Sequence, residues 1–200
     1  MNRLDVAITA ALCLLVSSTA FAAKVGQPAP DFGLPDLQGK AVNLSDYRGK
    51  YVVLEWTNPE CPYVQRHYNS GNMPELQKEF GKKDVVWLTV NSTNQSSSEF
   101  KTPQQMSKWM GDKGAAPKAT LIDKDSAVGK LYDARTTPHM YIIDPQGKLI
   151  YAGAIDDKRW ASPETTKQAK NHVRTALGEA MAGKPVSVTA TSPYGCTVKY

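Results

Sequence analysis

The sequence holds three cysteines, at positions 13, 61 and 196. Cys61 has the setting of a reactive thiol. It follows the β-branched and aromatic run Tyr51-Val52-Val53-Leu54-Glu55-Trp56 and the loop Thr57-Asn58-Pro59-Glu60, and Pro62 comes directly after it. Proline is favoured at the first position of a helix, so the spacing predicts Cys61 as N-cap of a helix reaching about Tyr68. The unpaired N–H groups of such a helix start place partial positive charge beside the sulfur, which favours thiolate over thiol. A thiolate in a crevice open to solvent attacks disulfides and oxidants. The bland alternative is an inert capping cysteine or a structural half-cystine.

Cys196 lies thirteen residues beyond Gly183, where the last helical pattern stops. Thirteen residues extend about 43–47 Å. A domain of this size has a radius of gyration of about 16 Å. The tail can therefore reach Cys61 from almost any exit point. Three roles stay open for Cys196: a resolving partner for a sulfenic acid or mixed disulfide on Cys61, a permanent staple, or an unpaired thiol.

Residues 1–22 read as an address. Arg3 supplies a positive start, Val6 to Val16 is apolar apart from Thr9, and Ala20-Phe21-Ala22 resembles a signal-peptidase site. Cleavage after Ala22 or Ala23 removes Cys13 and leaves two cysteines. The apolar run is shorter than the ~20 residues needed to span a bilayer, so no stable membrane anchor is expected after cleavage. Export, to the bacterial periplasm in this reading, puts the chain in an oxidising compartment.

The elements around Cys61 alternate. Asp31–Leu34 and Lys40–Asn43 flank a turn and predict an N-terminal β-hairpin. Strands follow at Tyr51–Trp56, Val85–Val90, Ala119–Ile122, Met140–Asp144 and Leu149–Ala154. Helical patterns occupy the gaps: Cys61 to Tyr68, a start at Asn72, another at Thr102, a short helix capped by Asp125, and a final helix from Ser162-Pro163 to Gly183. Strands alternating with helices imply parallel pairing, and the last two strands form an antiparallel hairpin. The expected fold class is α/β, a mixed central sheet with helices on both faces. The organisation is a signal peptide (1–22), one domain (24–182) and a tail (183–200) carrying Cys196.

At this point a resemblance becomes specific. The strand followed by Asn58-Pro59-Glu60-Cys61-Pro62-Tyr63 is similar to the strand–cysteine–helix unit of the thioredoxin superfamily. Thr136-Thr137-Pro138-His139 before Met140–Asp144 resembles that superfamily's second landmark, a Thr-Pro with a cis peptide. Val25-Gly26-Gln27-Pro28-Ala29-Pro30-Asp31-Phe32 resembles the opening of the redoxin, or alkyl hydroperoxide reductase/thiol-specific antioxidant, family. The tail Tyr194-Gly195-Cys196-Thr197-Val198-Lys199-Tyr200 is similar to the end of the peroxiredoxin-like 1 group. The resemblance implies a thioredoxin-like fold. It places Thr137, Pro138 and His139 at a substrate- or partner-binding surface against Cys61, where the Thr137 backbone pairs with an extended peptide. Related exported thioredoxins use a carboxylate near the cysteines, a proton-shuttling role that the resemblance opens to Glu55 or Glu60; a salt bridge would explain Glu55 equally well.

The departures from the family patterns matter as much. Val64 stands where thioredoxins carry their second cysteine. Asn58 and Leu54 stand where peroxiredoxins carry Thr and Pro, and Arg135 is three residues before the position of their Arg. The resemblance therefore implies a thiol oxidoreductase with Cys61 and Cys196 as catalytic residues, by thiol–disulfide exchange or peroxide reduction. An external thiol reductant or redox partner protein completes the cycle, and no cofactor is required. Two alternatives come from other classes. One is a non-catalytic binding module with a structural Cys61–Cys196 disulfide. The other is a copper-type carrier using Cys61, His139 and Cys196. His67 and His172 are expected at the surface.

Composition narrows the field further. Hydrophobic residues make up 41% and charged residues 22% of 200, an ordinary globular balance. The formal charge of +5 is spread along the chain, without a block of five like charges. That distribution fits a solvated surface and argues against nucleic-acid binding.

Overall fold

The computed structural model describes residues 22–200, so the expected signal segment falls outside the described residues apart from Ala22. The hairpin forms from β1 (Gly33–Pro35) and β2 (Ala41–Asn43). Then come β3 (Val52–Trp56), α1 (Pro62–Asn69), α2 (Asn72–Gly81), β4 (Val86–Asn91), α3 (Pro103–Asp112), β5 (Ala119–Ile122) and α4 (Ala127–Leu131). β6 (Thr136–Thr137), β7 (His139–Ile143), β8 (Leu149–Gly153), α5 (Pro163–Thr166), α6 (His172–Met181) and β9 (Cys196–Thr197) complete the chain. The central sheet has the order β5-β4-β3-β7-β8. β3, β4 and β5 run parallel, while β7 and β8 are antiparallel, as the alternation and the closing hairpin imply.

β3 is buried along its whole length, which is why its sequence is an unbroken apolar run around Glu55. Its side chains alternate between two cores. Val53 faces a core built with α1, α2, α3 and α6, including Tyr68, Leu76, Met106 and Leu177. Val52, Leu54 and Trp56 face a second core with the hairpin and α4, including Leu34, Val42, Val128 and Tyr141. The strand end at Trp56 and the start of α1 thus meet at one edge of the sheet. Every element before β6 is fixed by these two apolar faces.

Two local expectations are corrected. The cap of α4 comes from Asp123 rather than Asp125: its carboxylate accepts from Val128 N (3.2 Å) and Gly129 N (2.8 Å). The periodicity from Ser162 to Gly183 is also two helices. Asn171 pairs with Asp156 in an isolated bridge, and its side chain accepts from Arg174 N at 2.8 Å, so it caps a fresh helix.

The tail is the largest addition. Gly183, at φ +69°, ends the α6 turn in the left-handed region. The chain then follows β8, where Ala152 N donates to Thr189 O (3.1 Å) and Thr191 N donates to Ala152 O (3.2 Å). This contact covers an edge strand that would otherwise offer unpaired backbone. The tail goes on to pair with β6 as β9, which the sequence periodicity does not reveal.

Asp123 is buried and also accepts from Ser92 Oγ at 2.6 Å. Its replacement by alanine leaves these donors unsatisfied. Asp123→Ala is expected to lower unfolding free energy by about 2–3 kcal/mol in urea titration, with Asp123→Asn losing less.

Candidate redox site

Cys61 sits at the N-cap of α1 with Pro62 behind it, in the extended conformation expected of a cap (φ −75°, ψ 120°). The loop before it is braced from several sides. Cys61 N donates to Asn58 O at 3.0 Å, Glu60 N donates to Asn58 Oδ1 at 2.9 Å, and Gln65 Nε2 donates to Pro59 O at 2.8 Å. The Thr137–Pro138 peptide is cis. Thr137 offers its carbonyl to the Cys61 thiol, with Sγ 3.0 Å from the oxygen.

The expected open crevice is corrected. Cys61 is only 1% exposed, because the tail lies over it. β9 pairs antiparallel with β6, with Thr136 opposite Thr197 and Thr137 opposite Cys196. Val198 N extends the pairing by donating to Arg135 O at 3.1 Å. This register brings Cys196, half-buried, against Cys61, and both are free thiols. Burial, and after it the neighbouring Cys61 sulfur, raises the Cys196 thiol to about 12. The Cys196 thiol is therefore held protonated.

The tail is anchored two residues earlier by a buried polar cluster. Tyr194 Oη donates to Asp156 Oδ1 at 2.5 Å and accepts from Arg66 Nη2 at 2.9 Å. Arg66 spends its other terminal nitrogen on Arg159 O and Ala161 O. His67 is fully buried here, which corrects its expected surface position. His67 Nδ1 lies 2.9 Å from Asn72 Nδ2, and Nε2 lies 3.1 Å from Tyr194 Oη and 3.2 Å from Arg66 Nη2. Burial, then Arg66, pushes His67 down to about 3. A neutral ring means that its 3.9 Å approach to Asp156 is not an ion pair.

Cys61, Thr137, Pro138 and Cys196 thus come together. His139 does not join them. Its ring lies on the opposite face of β7, 2.9 Å from Tyr141 Oη and 6% exposed. Burial lowers it to about 4. This geometry removes the Cys61–His139–Cys196 ligand set of the copper-carrier alternative. Among the described residues no group of three or more His, Cys, Asp or Glu is arranged to hold a metal ion. Arg135 is occupied at the surface with Asp133, so it brings no guanidinium to the sulfur. Glu60 is exposed and pairs with Lys101.

Glu55 is fully buried under α1, on the face of the sheet that carries Cys61. It accepts from Tyr68 Oη (2.8 Å), Trp87 Nε1 (2.8 Å) and Gln77 Nε2 (3.1 Å). Burial raises its carboxyl to about 7, against the opposing pull of those donors. The residues that sequence reasoning missed are Tyr194, Asp156 and Arg66. Tyr194 falls inside the terminal motif, but nothing local marks Asp156 and Arg66 as its partners.

The sheet order, the capping cysteine and the cis-proline define a thioredoxin-like redoxin domain. Residues 25–152 match the AhpC/TSA family model, and the chain belongs to that family. It is 31% identical over 135 residues to the thioredoxin-like protein YneN of Bacillus subtilis, covering 66% of this chain and 74% of that one. It is 30% identical over 128 residues to the thiol-disulfide oxidoreductase ResA of Geobacillus thermodenitrificans, covering 64% and 68%. Among solved structures, an uncharacterized conserved protein of Geobacillus kaustophilus superposes with a TM-score of 0.76 at 28% identity, covering 88% of this chain and 92% of that one.

A carboxyl raised from 4.5 to about 7 holds its proton more tightly folded than unfolded. Its stabilising contribution is complete below about pH 4.5 and is lost as pH rises through 7. Glu55→Gln is expected to remove this slope and to gain up to about 3 kcal/mol relative to the parent at pH 8, read from urea midpoints across pH.

Proposed function

We propose that this chain is an exported thiol–disulfide oxidoreductase in which Cys61 is the nucleophile and Cys196 the resolving thiol. The observation that carries this reading is the Thr137–Cys196 register, which sets the two thiols against each other without a covalent link. The relatives named thiol-disulfide oxidoreductases support the same chemistry. A permanent staple is not needed to hold the tail, since backbone pairing and Tyr194 already do so.

The Cys61 thiolate attacks one sulfur of a partner disulfide, that S–S bond breaks, and the partner's other sulfur leaves as a thiolate. Cys196 then gives its proton to the partner thiolate and attacks Cys61 Sγ, releasing the partner's first sulfur as a thiolate that takes a proton from solvent. The partner gains two electrons and becomes a dithiol, and the chain retains a Cys61–Cys196 disulfide. An external thiol reductant returns it to the dithiol. Once Cys61 is in a mixed disulfide, its part in holding the proton on Cys196 is lost, while burial, the larger cause, remains. The second thiol is thereby easier to ionise at the step that uses it.

Disulfide exchange is favoured over peroxide reduction. Asn58 is engaged with Glu99 and Arg135 with Asp133, so neither donates to an oxygen at Cys61. Export rests on residues 1–22, read as a cleaved signal; among the described residues no helix is long and apolar enough to cross a membrane.

Mass spectrometry of the full chain after exposure to a small disulfide checks the assignment. The parent is expected to form an internal 61–196 bridge that mild reductant opens. Cys196→Ser is expected to stall as a mixed disulfide on Cys61, and Cys61→Ser to form no internal bridge. A bridge that resists reductant, or none at all, contradicts the proposal.

A further inference from the structure

Gly195 has a backbone that almost no other residue shares. Its φ is +146°, and a Cβ built on it would lie 2.1 Å from Thr137 O. The tail therefore rests on β6 with direct backbone contact immediately before the cysteine. Side chains flank this point on both sides. Tyr194 is sunk beside Tyr63, ring centroids 5.8 Å apart, while Val198 enters the second core. The groove over Cys61 thus has a shape of its own: an aromatic pocket, a position with no room for a side chain, a sulfur-facing position, and an antiparallel strand edge.

Resting on the reading that Cys61 is a nucleophile, we propose that the tail is a resident occupant of a groove that selects polypeptide segments carrying glycine directly before cysteine. A partner strand reaches Cys61 only when residues 194–198 withdraw. The preference follows from the Thr137 carbonyl, which faces whatever precedes the sulfur and leaves a Cβ nowhere to go. The occupant is polypeptide rather than a small thiol because the groove offers backbone pairing over Arg135–Thr137. Tyr194 sets how often the groove opens, through Asp156 and Arg66. The same arm that blocks the groove returns to resolve the mixed disulfide, so entry and release are a competition between two strands for one edge.

The probe is a nine-residue peptide copying residues 192–200, its cysteine joined to thionitrobenzoate as a mixed disulfide. In the full chain with Cys196→Ser, Cys61 attacks the peptide sulfur, the bond to thionitrobenzoate breaks, and the coloured thiolate leaves. No further oxidant is required. Two tail-loosening changes are compared on that background. Gly195→Ala cannot keep the close approach to Thr137, and it leaves the buried cluster untouched. Tyr194→Phe removes the anchoring hydroxyl. Each is expected to speed release from the peptide by about tenfold or more. The peptide with alanine in place of its glycine is expected to react about tenfold more slowly than the parent peptide in all three chains.

Equal rates for the glycine and alanine peptides overturn the selectivity. Rates unchanged by both substitutions overturn the occupancy. Ellman's reagent, a small disulfide, separates these failures from failure of the underlying reading. If it reacts briskly with the loosened chains while the peptides show no discrimination, Cys61 is a nucleophile and the groove is not selective. If it too leaves Cys61 unmodified in both loosened chains, the nucleophile assignment itself falls.

Discussion

The pairing of Thr137 with Cys196 is short, two residues on each strand, yet the arrangement of the site depends on it. It places the second thiol beside the first. It closes Cys61 from solvent and fills the edge beside the cis-proline. Without it, the chain would present a single cysteine at a helix start, with Val64 where a neighbouring cysteine would sit. A long-range strand contact thus stands in for a local cysteine pair. The cost of closing so long a loop is modest, because closure entropy grows only with the logarithm of loop length.

That contact is held by a cluster that is expensive on its own. Arg66 and Asp156 are both buried, and a buried charged group is costly unless it is hydrogen-bonded. The Tyr194 hydroxyl serves both at once, giving to Asp156 Oδ1 and receiving from Arg66 Nη2. The cluster therefore favours the seated tail by leaving both charges poorly satisfied when it departs. It also explains why His67 stays neutral beside a carboxylate: burial opposes a charge on the ring, and Arg66 adds to that opposition.

Much of the fold was legible in the sequence, for a physical reason. β3, β4 and β5 are apolar runs between turn residues, and their boundaries follow where the apolar run stops. Thr102 and Gln105 announced α3 through a capping box that forms as expected. The break before α6 was not legible, because it is marked by a backbone bridge from Asn171 to Asp156, fifteen residues away. The site divided in the same manner. Cys61 and the Thr137–Pro138 pair stand out locally by residue type and neighbours. The solvent-closed state of Cys61, the buried position of His67 and the turning of His139 to the other face depend on which strand covers which edge. Chain length only permitted the tail to arrive; the antiparallel register decides where it stops.

Backbone hydrogen exchange in the reduced, full-length protein tests the pairing most directly. The amide of Val198, which donates to Arg135 O, is predicted to exchange far more slowly than the same amide in an isolated tail peptide. Exchange at the rate of the free peptide would mean that no strand lies on β6, that Cys61 is open, and that the two thiols meet only by chance.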